Sequence, residues 1–192
     1  MPGAGDVFLE TERLRLRRFT DGDVDLLTEL DSDPAVMHYV TGGRPTSRQE
    51  IVDDYLPAFL GYYRRYEGFG FWAAEERATG RFVGWFHLRP PDPDEPLDVE
   101  LGYRLLREAW GQGYAVEGSR ALIARAFTEF GARRVSAETM AEHTASRRVM
   151  ERAGLRFVRT FFMDWPYSIP GDEHGDVEYA LTREEWLADQ PP

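Results

Sequence analysis

Three small residues, in the turn before a predicted helix and at its start, give the clearest indication of a ligand-binding site in this sequence. A β-rich run at residues 99–105 is followed by a turn at residues 110–115 and then by a helical pattern. Gly111 and Gly113 in that turn have no Cβ atom, and Ala115 is small, so a ligand could approach the backbone closely. The first turn of a helix carries N–H groups without partners at the positive end of its dipole. The pattern therefore predicts a cradle for a pyrophosphate group.

The turn is distinct from two familiar phosphate-binding patterns. It does not follow the G-x-G-x-x-G spacing of dinucleotide-binding folds, and it lacks the Lys-Ser/Thr pair of a P-loop. A strand–glycine–helix junction is also found in ordinary tight turns, so the turn alone leaves that alternative open. A nucleotide-binding protein of another class, with ATP or NAD as its ligand, is a second alternative.

A longer segment around this turn resembles a known family motif. Residues 100–117 read ELGYRLLREAWGQGYAVE and resemble the acetyl-CoA motif of the GNAT superfamily, Q/R-x-x-G-x-G/A after a strand. Trp110 stands at the Q/R position, and Gly113 and Ala115 match the two small positions that end the motif. The resemblance implies that the cradle binds the pyrophosphate of acetyl-CoA.

Two further features resemble the branch of this superfamily that contains the ribosomal-protein N-terminal acetyltransferases, the RimJ/RimL type. The first is Trp110 followed by Gly-x-Gly-Tyr-Ala, together with the sequence ERLRLR at residues 12–17. The second is ASRRVMERAG at residues 145–154, which resembles the branch's A-S-x-R-V-L-E-K-x-G-F signature. The motifs occur in the expected order, and the resemblance covers about residues 8–182.

The resemblance implies both a fold and an activity. The fold would be α/β, a GNAT-type mixed, mostly antiparallel twisted sheet of about six or seven strands flanked by about four helices. The activity would be that of an N-acetyltransferase, which moves the acetyl group of acetyl-CoA to a primary amine by direct attack in a ternary complex. The acceptor amine would be a protein or peptide N-terminus or a small amine. An alternative is a non-catalytic CoA-binding or regulatory module of the same fold.

The residues that the resemblance places near the coenzyme lie in two segments. The strand at residues 99–105 would separate from its neighbour, so that backbone groups of Tyr103 and Leu105 pair with the pantetheine arm. The full set of expected coenzyme contacts is Tyr103, Leu105, Trp110, Gly111, Gln112, Gly113, Tyr114, Ala115, His143 and Ser146.

The sequence departs from the family pattern at three positions. Met150 replaces the Tyr that serves as general acid in many GNAT enzymes, and a thioether cannot donate a proton. The resemblance then makes Ser146 the catalytic candidate beside the thioester sulfur, although it could also be a helix-start serine bonded to backbone. His143 stands where Asn is usual and could be a coenzyme contact, a proton shuttle or a surface substitution. Arg107 stands where Pro is common.

The reaction also needs a base, because an amine is protonated near neutral pH and must lose a proton before it attacks. Glu100 could accept this proton directly or through water, since it lies on the strand that leads to the cradle. Its alternative role is that of an ion-paired carboxylate, for example with Arg104 on the same face of the strand. Glu178 and Asp164 are weaker candidates for the base.

The remaining periodicities place these residues on a sheet with interspersed helices. A helix predicted over residues 47–63 carries an apolar stripe at Ile51, Tyr55, Phe59 and Tyr63, which could line a substrate pocket or simply pack on the sheet. Packing is the favoured interpretation. The other predicted elements are strands at residues 14–19, 70–74, 81–89, 135–139, 155–165 and 177–181 and helices at about residues 20–32 and 144–153.

Composition limits the class of protein. Of the 192 residues, 42% are hydrophobic and 14% aromatic, which is enough for one well-filled core. We therefore expect a single domain over residues 1–192, with flexible ends at residues 1–7 and 187–192. The absence of cysteine excludes a thiolate nucleophile and Cys-ligated zinc. The histidines lack metal-ligand spacing, so no metal is expected.

Charge and hydropathy limit the partners. The net charge of −11 disfavours a nucleic-acid partner and suits attraction of a cationic amine. No apolar run approaches the roughly 18 residues that a membrane span needs, so we expect a cytoplasmic protein without a membrane partner. The oligomeric state cannot be read directly, but a strand edge near the C-terminus makes a homodimer one candidate.

Overall fold

One mixed sheet organises the structure, which is a computed structural model that describes residues 5–163 and 168–190. Its strands are β1 (Val7–Glu10), β2 (Leu14–Arg18), β3 (Gly70–Glu76), β4 (Phe82–Arg89), β5 (Asp98–Leu105), β6 (Arg134–Met140), β7 (Arg156–Phe161) and β8 (Asp176–Thr182). Within the described residues these eight strands lie in the order β1-β2-β3-β4-β5-β6-β8-β7.

Helices cover both faces of this sheet. They are α1 (Val24–Ser32), α2 (His38–Thr41), α3 (Arg48–Glu50), α4 (Leu56–Arg65), α5 (Tyr114–Thr128), α6 (Thr144–Ala153) and α7 (Arg183–Ala188). A π-helical turn, Ile51–Tyr55, joins α3 to α4, so residues 48–65 form one continuous helical segment. Among the described residues, no helix combines the length and the apolar character needed to cross a membrane.

The sequence predicts the α/β class and the mixed, mostly antiparallel sheet correctly, but it underestimates the number of elements. Eight strands replace the expected six or seven, and there are more helices than the expected four. Strand β1 was not predicted, because four residues give little periodicity and pairing with β2 defines this strand. Helix α7 was not predicted either, although Thr182 and Glu185 form a capping box at its start.

The strands β5 and β6 separate part of the way along their length. They are the parallel pair of the sheet, joined by a crossover through α5, and they pair only over residues 98–100 and 134–136. Both strands continue beyond this point without pairing to each other. The edges of residues 101–105 and 137–140 therefore border a gap, which we call the wedge.

The sheet separates two hydrophobic clusters. The larger lies under α5 and α6 and includes Leu101 and Phe127. The smaller lies on the other face, under α1 and α4, and includes Phe59 and Phe71. Because successive strand residues point to opposite faces, Leu101 packs beneath α5 while the neighbouring Glu100 faces the side of α1 and α4.

Candidate active site

The turn at residues 110–115 has the backbone conformation that its glycines predict. Gly111 and Gly113 adopt left-handed φ angles of 71° and 83°, and Gly113 is the N-cap of α5. The amide N–H groups of residues 111–116 donate to no acceptor within residues 5–163 and 168–190. They lie at the positive end of a 15-residue helix. A pyrophosphate fits this arrangement, because it offers several oxygens to converging N–H groups.

An arginine from the turn between β1 and β2 holds the cradle against α5. Arg13 donates from Nη1 to the Gln112 carbonyl at 2.8 Å and forms an ion pair with Glu117 at 2.6 Å. Thr11 donates a further hydrogen bond to Glu117 at 2.6 Å. Burial alone would raise the pKa of Glu117, but the hydrogen bonds and the Arg13 charge outweigh it and lower that pKa. In the sequence, Arg13 stands out only as part of the segment that resembles the family. Its contacts with Gln112 and Glu117 show that it holds the turn against α5.

Side chains of the turn are used mainly to hold it in place. Trp110 donates from Nε1 to the Leu105 carbonyl at 2.9 Å, and Gln112 donates to the carbonyl of Glu108. The buried Tyr114 donates to a carboxylate on β3 at 2.6 Å. The side chains of Tyr114 and Leu105 are buried, so these two predicted contacts can reach a coenzyme only through backbone groups.

A groove runs from the cradle along α5 to the end of α6. Arginines from three elements line it, Arg13, Arg120 and Arg152, and Arg120 donates to the Arg152 carbonyl at 2.6 Å. Ala115 is partly buried against the larger cluster, where α5 meets the sheet. Arg120 and Arg152 could not be selected from the sequence, because only the packing of α5 against α6 brings them together.

The wedge is bridged by a hydrogen bond between β5 and α6. The Tyr103 hydroxyl lies 2.9 Å from Ser146 Oγ and 3.1 Å from the Ser146 carbonyl. Burial raises the pKa of Tyr103 to about 12, although the hydrogen bond to Ser146 opposes this shift, so the phenol stays protonated near neutral pH. Ser146 Oγ has the Tyr103 hydroxyl, and not a backbone group, as its partner in the described residues. Met150, one turn further along α6, is buried in the larger cluster.

His143 is packed and is not simply a surface substitution. Its ring stacks on Tyr39 with centroids 4.1 Å apart and an interplanar angle of 16°. Burial, with a smaller contribution from His38, lowers the pKa of His143 to about 4. The ring is therefore neutral near neutral pH, and a coenzyme contact and a proton shuttle both stay predictions for this residue.

Glu100 lies on the opposite face of β5 and is ion-paired. Its Oε2 atom is 2.7 Å from Arg89 Nη2, and its Oε1 atom is 3.6 Å from His87 Nε2. Burial alone would raise the pKa of Glu100, but the contacts with His87 and Arg89 lower it. Arg104, the ion-pair partner considered from the sequence, instead pairs with Asp31 at 2.7 Å.

The weaker base candidates are also constrained. Glu178 on β8 accepts hydrogen bonds from Arg134 and Arg159. Although burial opposes the shift, these arginines lower the pKa of Glu178. Asp164 lies outside the described residues, as does Trp165.

The sequence analysis did not single out Glu138, which lies on β6 beside the wedge. Its pKa is raised by burial and by the neighbouring carboxylates of Glu100 and Glu178. The sequence could not indicate this pKa shift, because the three carboxylates lie on three different strands and meet only in the folded protein. Within the described ranges, no group of three or more His, Asp or Glu side chains is arranged to hold a metal ion.

A cavity of about 190 Å³ lies on the face of the sheet opposite α5. Apolar and aromatic side chains line it, with charged ones among them: Leu27, Asp31, Ile51, Tyr55, Phe59, Phe71, Trp85, His87, Arg89 and Arg104. Ile51, Tyr55 and Phe59 belong to the helical stripe for which packing was favoured, so this stripe also lines a cavity. The fourth member, Tyr63, accepts a hydrogen bond from the Phe19 amide at 2.9 Å.

The chain is similar to known proteins over most of its length. A family model described as "Acetyltransferase (GNAT) domain" matches residues 13–156. A relative from Aspergillus fumigatus, named FsC-acetyl coenzyme A-N(2)-transacetylase, is 40% identical over 190 residues, which is 96% of this chain and 80% of the relative. The uncharacterized protein YkkB from Bacillus subtilis is 33% identical over 154 residues, covering 79% of this chain and 87% of that protein.

Solved structures share the fold. The spermidine N-acetyltransferase from Vibrio cholerae, in complex with CoA and spermine, has a TM-score of 0.74 at 15% identity over 92% of this chain and 99% of its own. RimL, a ribosomal L7/L12 alpha-N-protein acetyltransferase in complex with coenzyme A, has a TM-score of 0.77 at 19% identity. The match covers 94% of this chain and 99% of that chain. The family model spans most of the chain, and the first relative matches nearly all of it. This protein therefore belongs to the GNAT acetyltransferase family and is an acyltransferase of the N-acetyltransferase type.

Proposed function

We propose that this protein transfers the acetyl group of acetyl-CoA to a primary amine by direct attack in a ternary complex. The observation that carries the proposal is the wedge between β5 and β6, which has the amide-lined cradle at one face of the sheet and the aromatic cavity at the other. A pyrophosphate in the cradle would leave the unpaired edge of β5, including the backbone of Tyr103 and Leu105, for the pantetheine arm. An amine in the cavity would meet the thioester at the wedge.

The acceptor is proposed from the cavity and the relatives together. The A. fumigatus relative is named for acetyl transfer to an N(2) nitrogen, and a solved neighbour is named for spermidine. Aromatic walls and the net charge of −11 favour an amine that arrives as a cation. We infer a protein or peptide N-terminus or a small amine as the acceptor. Trp110 and residues 145–154 support the RimJ/RimL-type branch.

Ser146 is proposed to stabilise the departing sulfur. Its Oγ atom accepts from or donates to the Tyr103 hydroxyl at 2.9 Å, and the same phenol donates to the Ser146 carbonyl at 3.1 Å. A phenol proton shared between Ser146 Oγ and the Ser146 carbonyl leaves the serine proton free for another acceptor, whereas a phenol that donates to the carbonyl alone would engage it. A thiolate formed at the wedge would be that acceptor, because an ionised sulfur gains most from a hydrogen bond.

Release of free thiol from acetyl-CoA, measured over a panel of primary amines, tests this function. Turnover with at least one amine is expected. Ser146→Ala should lower kcat by roughly 10- to 100-fold, the value of one hydrogen bond to a charged group. Acetyl-CoA affinity should change little, because the serine acts mainly in the transition state. Ser32→Ala, at an exposed serine on α1, is the control, and equal loss in both variants would contradict the role of Ser146.

A further inference from the structure

His87 is held rigidly on the face of the sheet that borders the acceptor cavity. It lies on β4 opposite Gly102 of β5, and a Cβ atom at Gly102 would come within 2.5 Å of the His87 ring. The ring centroids of Phe71 and Trp85 lie 4.9 Å and 5.7 Å away. The missing side chain at Gly102 therefore lets the imidazole lie directly over β5, the strand that borders the wedge.

The buried imidazole has no hydrogen-bond partner. His87 is 7% exposed, and within the described residues neither Nδ1 nor Nε2 makes a hydrogen bond. Buried polar groups in folded proteins are nearly always paired, so an unpaired ring at a cavity wall needs an explanation beyond packing. Its nearest carboxylate is Glu100, with Oε1 3.6 Å from Nε2, and it lines the cavity with charged neighbours from three elements, Asp31, Arg89 and Arg104.

Glu100 is held by an ion pair, whereas the nitrogens of His87 have no hydrogen-bond partner in the described residues. Burial lowers the pKa of His87, and the charges of Arg89 and Arg104 act in the same direction while Glu100 opposes them. The ring is therefore neutral near neutral pH, with one nitrogen lone pair available. Glu100 is held by Arg89 at 2.7 Å, and the pKa of Glu100 is lowered, so its carboxylate has little tendency to take a proton.

We propose that His87 takes the proton of the acceptor amine and that Glu100 acts through it as a positioning residue. This inference rests on the proposed function and names the base of the same site. The Glu100 carboxylate beside Nε2 favours the ring tautomer with its proton on that atom, which leaves the lone pair on Nδ1. Once the ring is protonated, the same carboxylate stabilises the imidazolium.

The acceptor enters as an ammonium ion and gives one proton to Nδ1 of His87, and the freed nitrogen lone pair forms the C–N bond at the thioester carbonyl. The C–S bond breaks as the tetrahedral intermediate collapses, and its electron pair leaves on sulfur. The second proton of the amine passes to water in this step. The thiolate accepts a hydrogen bond from Ser146 and takes a proton from water, so the overall reaction releases one proton. His87 returns its proton to solvent.

A pH–rate profile of kcat/KM, for the best amine in the panel, tests the proposal. The wild-type profile should fall on its acidic side as His87 becomes protonated, below its ordinary pKa of about 6.5. His87→Gln should lose this acidic fall and lower kcat by about 10²- to 10⁴-fold. Glu100→Gln should keep the fall but move it to lower pH, because the imidazolium loses its neighbouring carboxylate. His174→Gln, at an exposed histidine, should match the wild type.

A second variant protects the test against a purely structural effect. His87→Ala leaves space beside the cavity, so added imidazole should restore part of this variant's activity. The activity of the His174→Gln control should not change when imidazole is added. The proposal would be overturned if His87→Ala lost the same activity at every pH and imidazole did not restore it. It would also be overturned if the acidic fall of the profile remained in His87→Gln and disappeared in Glu100→Gln. No turnover of any amine by the wild type would instead contradict the proposed function, and this inference with it.

Discussion

The hydrogen bond between Tyr103 and Ser146 is the contact on which the proposed role of Ser146 depends. It joins β5 to α6 across the wedge at 2.9 Å, and burial keeps the phenol protonated by raising the pKa of Tyr103 to about 12. Met150, one turn further along α6, is buried in the core and cannot donate a proton. In the proposed mechanism the hydroxyl at the wedge comes from Ser146, and its orientation would depend on Tyr103.

Removing the phenol hydroxyl should reveal this dependence. Tyr103→Phe keeps the packed ring but frees the Ser146 side chain, so kcat should fall by roughly tenfold, the value of about one ordinary hydrogen bond. The double variant with Ser146→Ala should lose little more than Ser146→Ala alone, because both changes disrupt one unit. A kinetic double-mutant cycle measures this. Fully additive losses would show that Tyr103 does not act through Ser146.

The charge state of His143 is linked to folding. Its ring stacks on Tyr39, and burial lowers its pKa to about 4, whereas an unfolded histidine titrates near 6.5. Between these two values the unfolded chain binds a proton that the folded protein does not bind. Stability is therefore full above about pH 6.5 and falls as the pH decreases toward about 4.

Replacing the imidazole with a non-titrating ring should remove this part of the acid sensitivity. His143→Phe keeps an aromatic ring against Tyr39, and its free energy of unfolding should fall less than that of the wild type between pH 7 and pH 4.5. The expected difference is about 2–3 kcal/mol. Urea denaturation at both pH values measures it, with His174→Gln as the control. If His143→Phe and the wild type lose the same free energy, the ring is not buried in its neutral form.

At the scale of elements, the start of α5 is the feature on which the coenzyme site depends. Gly111 and Gly113 supply its left-handed turn, and Arg13 ties that turn to Glu117 and to the segment between β1 and β2. The cradle is thus formed by three stretches of chain, and its free N–H groups converge only when all three are in place.

A carboxylate at the N-cap of α5 should strongly weaken coenzyme binding. A Cβ atom at Gly113 would lie 3.4 Å from Arg13 Nη2, so Gly113→Asp would attract Arg13 and repel the pyrophosphate. The dissociation constant for acetyl-CoA should rise by roughly 100-fold, since about 3 kcal/mol of charged hydrogen bonding is lost. Gly131→Asp is a matched control, because Gly131 also has a left-handed φ of 67° and open space around it. Calorimetry compares the two, and unchanged affinity in a folded Gly113→Asp protein would rule out the cradle.

The elements that the sequence predicts well are those with a local cause. The turn at residues 110–115 and the helix at residues 144–153 depend on nearby glycines and helical periodicity, and both are found where the pattern places them. The contact of Arg13 with Glu117 and the burial of His87 depend on strand pairing between distant segments, which one sequence does not display. The candidate residues Glu100 and Ser146 could be selected from the sequence, but their partners Arg89 and Tyr103 could not.

At the scale of the whole molecule, the sheet separates two faces, and β5 and β6 diverge within it at the wedge. The cradle and the groove lie on the side of α5 and α6, and the cavity lies on the side of α1 and α4. In the function proposed above, donor and acceptor would bind from opposite faces without competing for one pocket. A homodimer stays a prediction, although the edge strand β7 exposes Phe157 and Val158.

Transfer of an isotopically labelled acetyl group is the most direct test of this account. The protein would be incubated with acetyl-CoA labelled in its acetyl carbons and with the primary amine that gives the fastest thiol release, and the products would be analysed by mass spectrometry. The account predicts one labelled acetyl group on the amine nitrogen for each free CoA released. Release of CoA with the label recovered as acetate, or no release with any primary amine although acetyl-CoA binds, would contradict it.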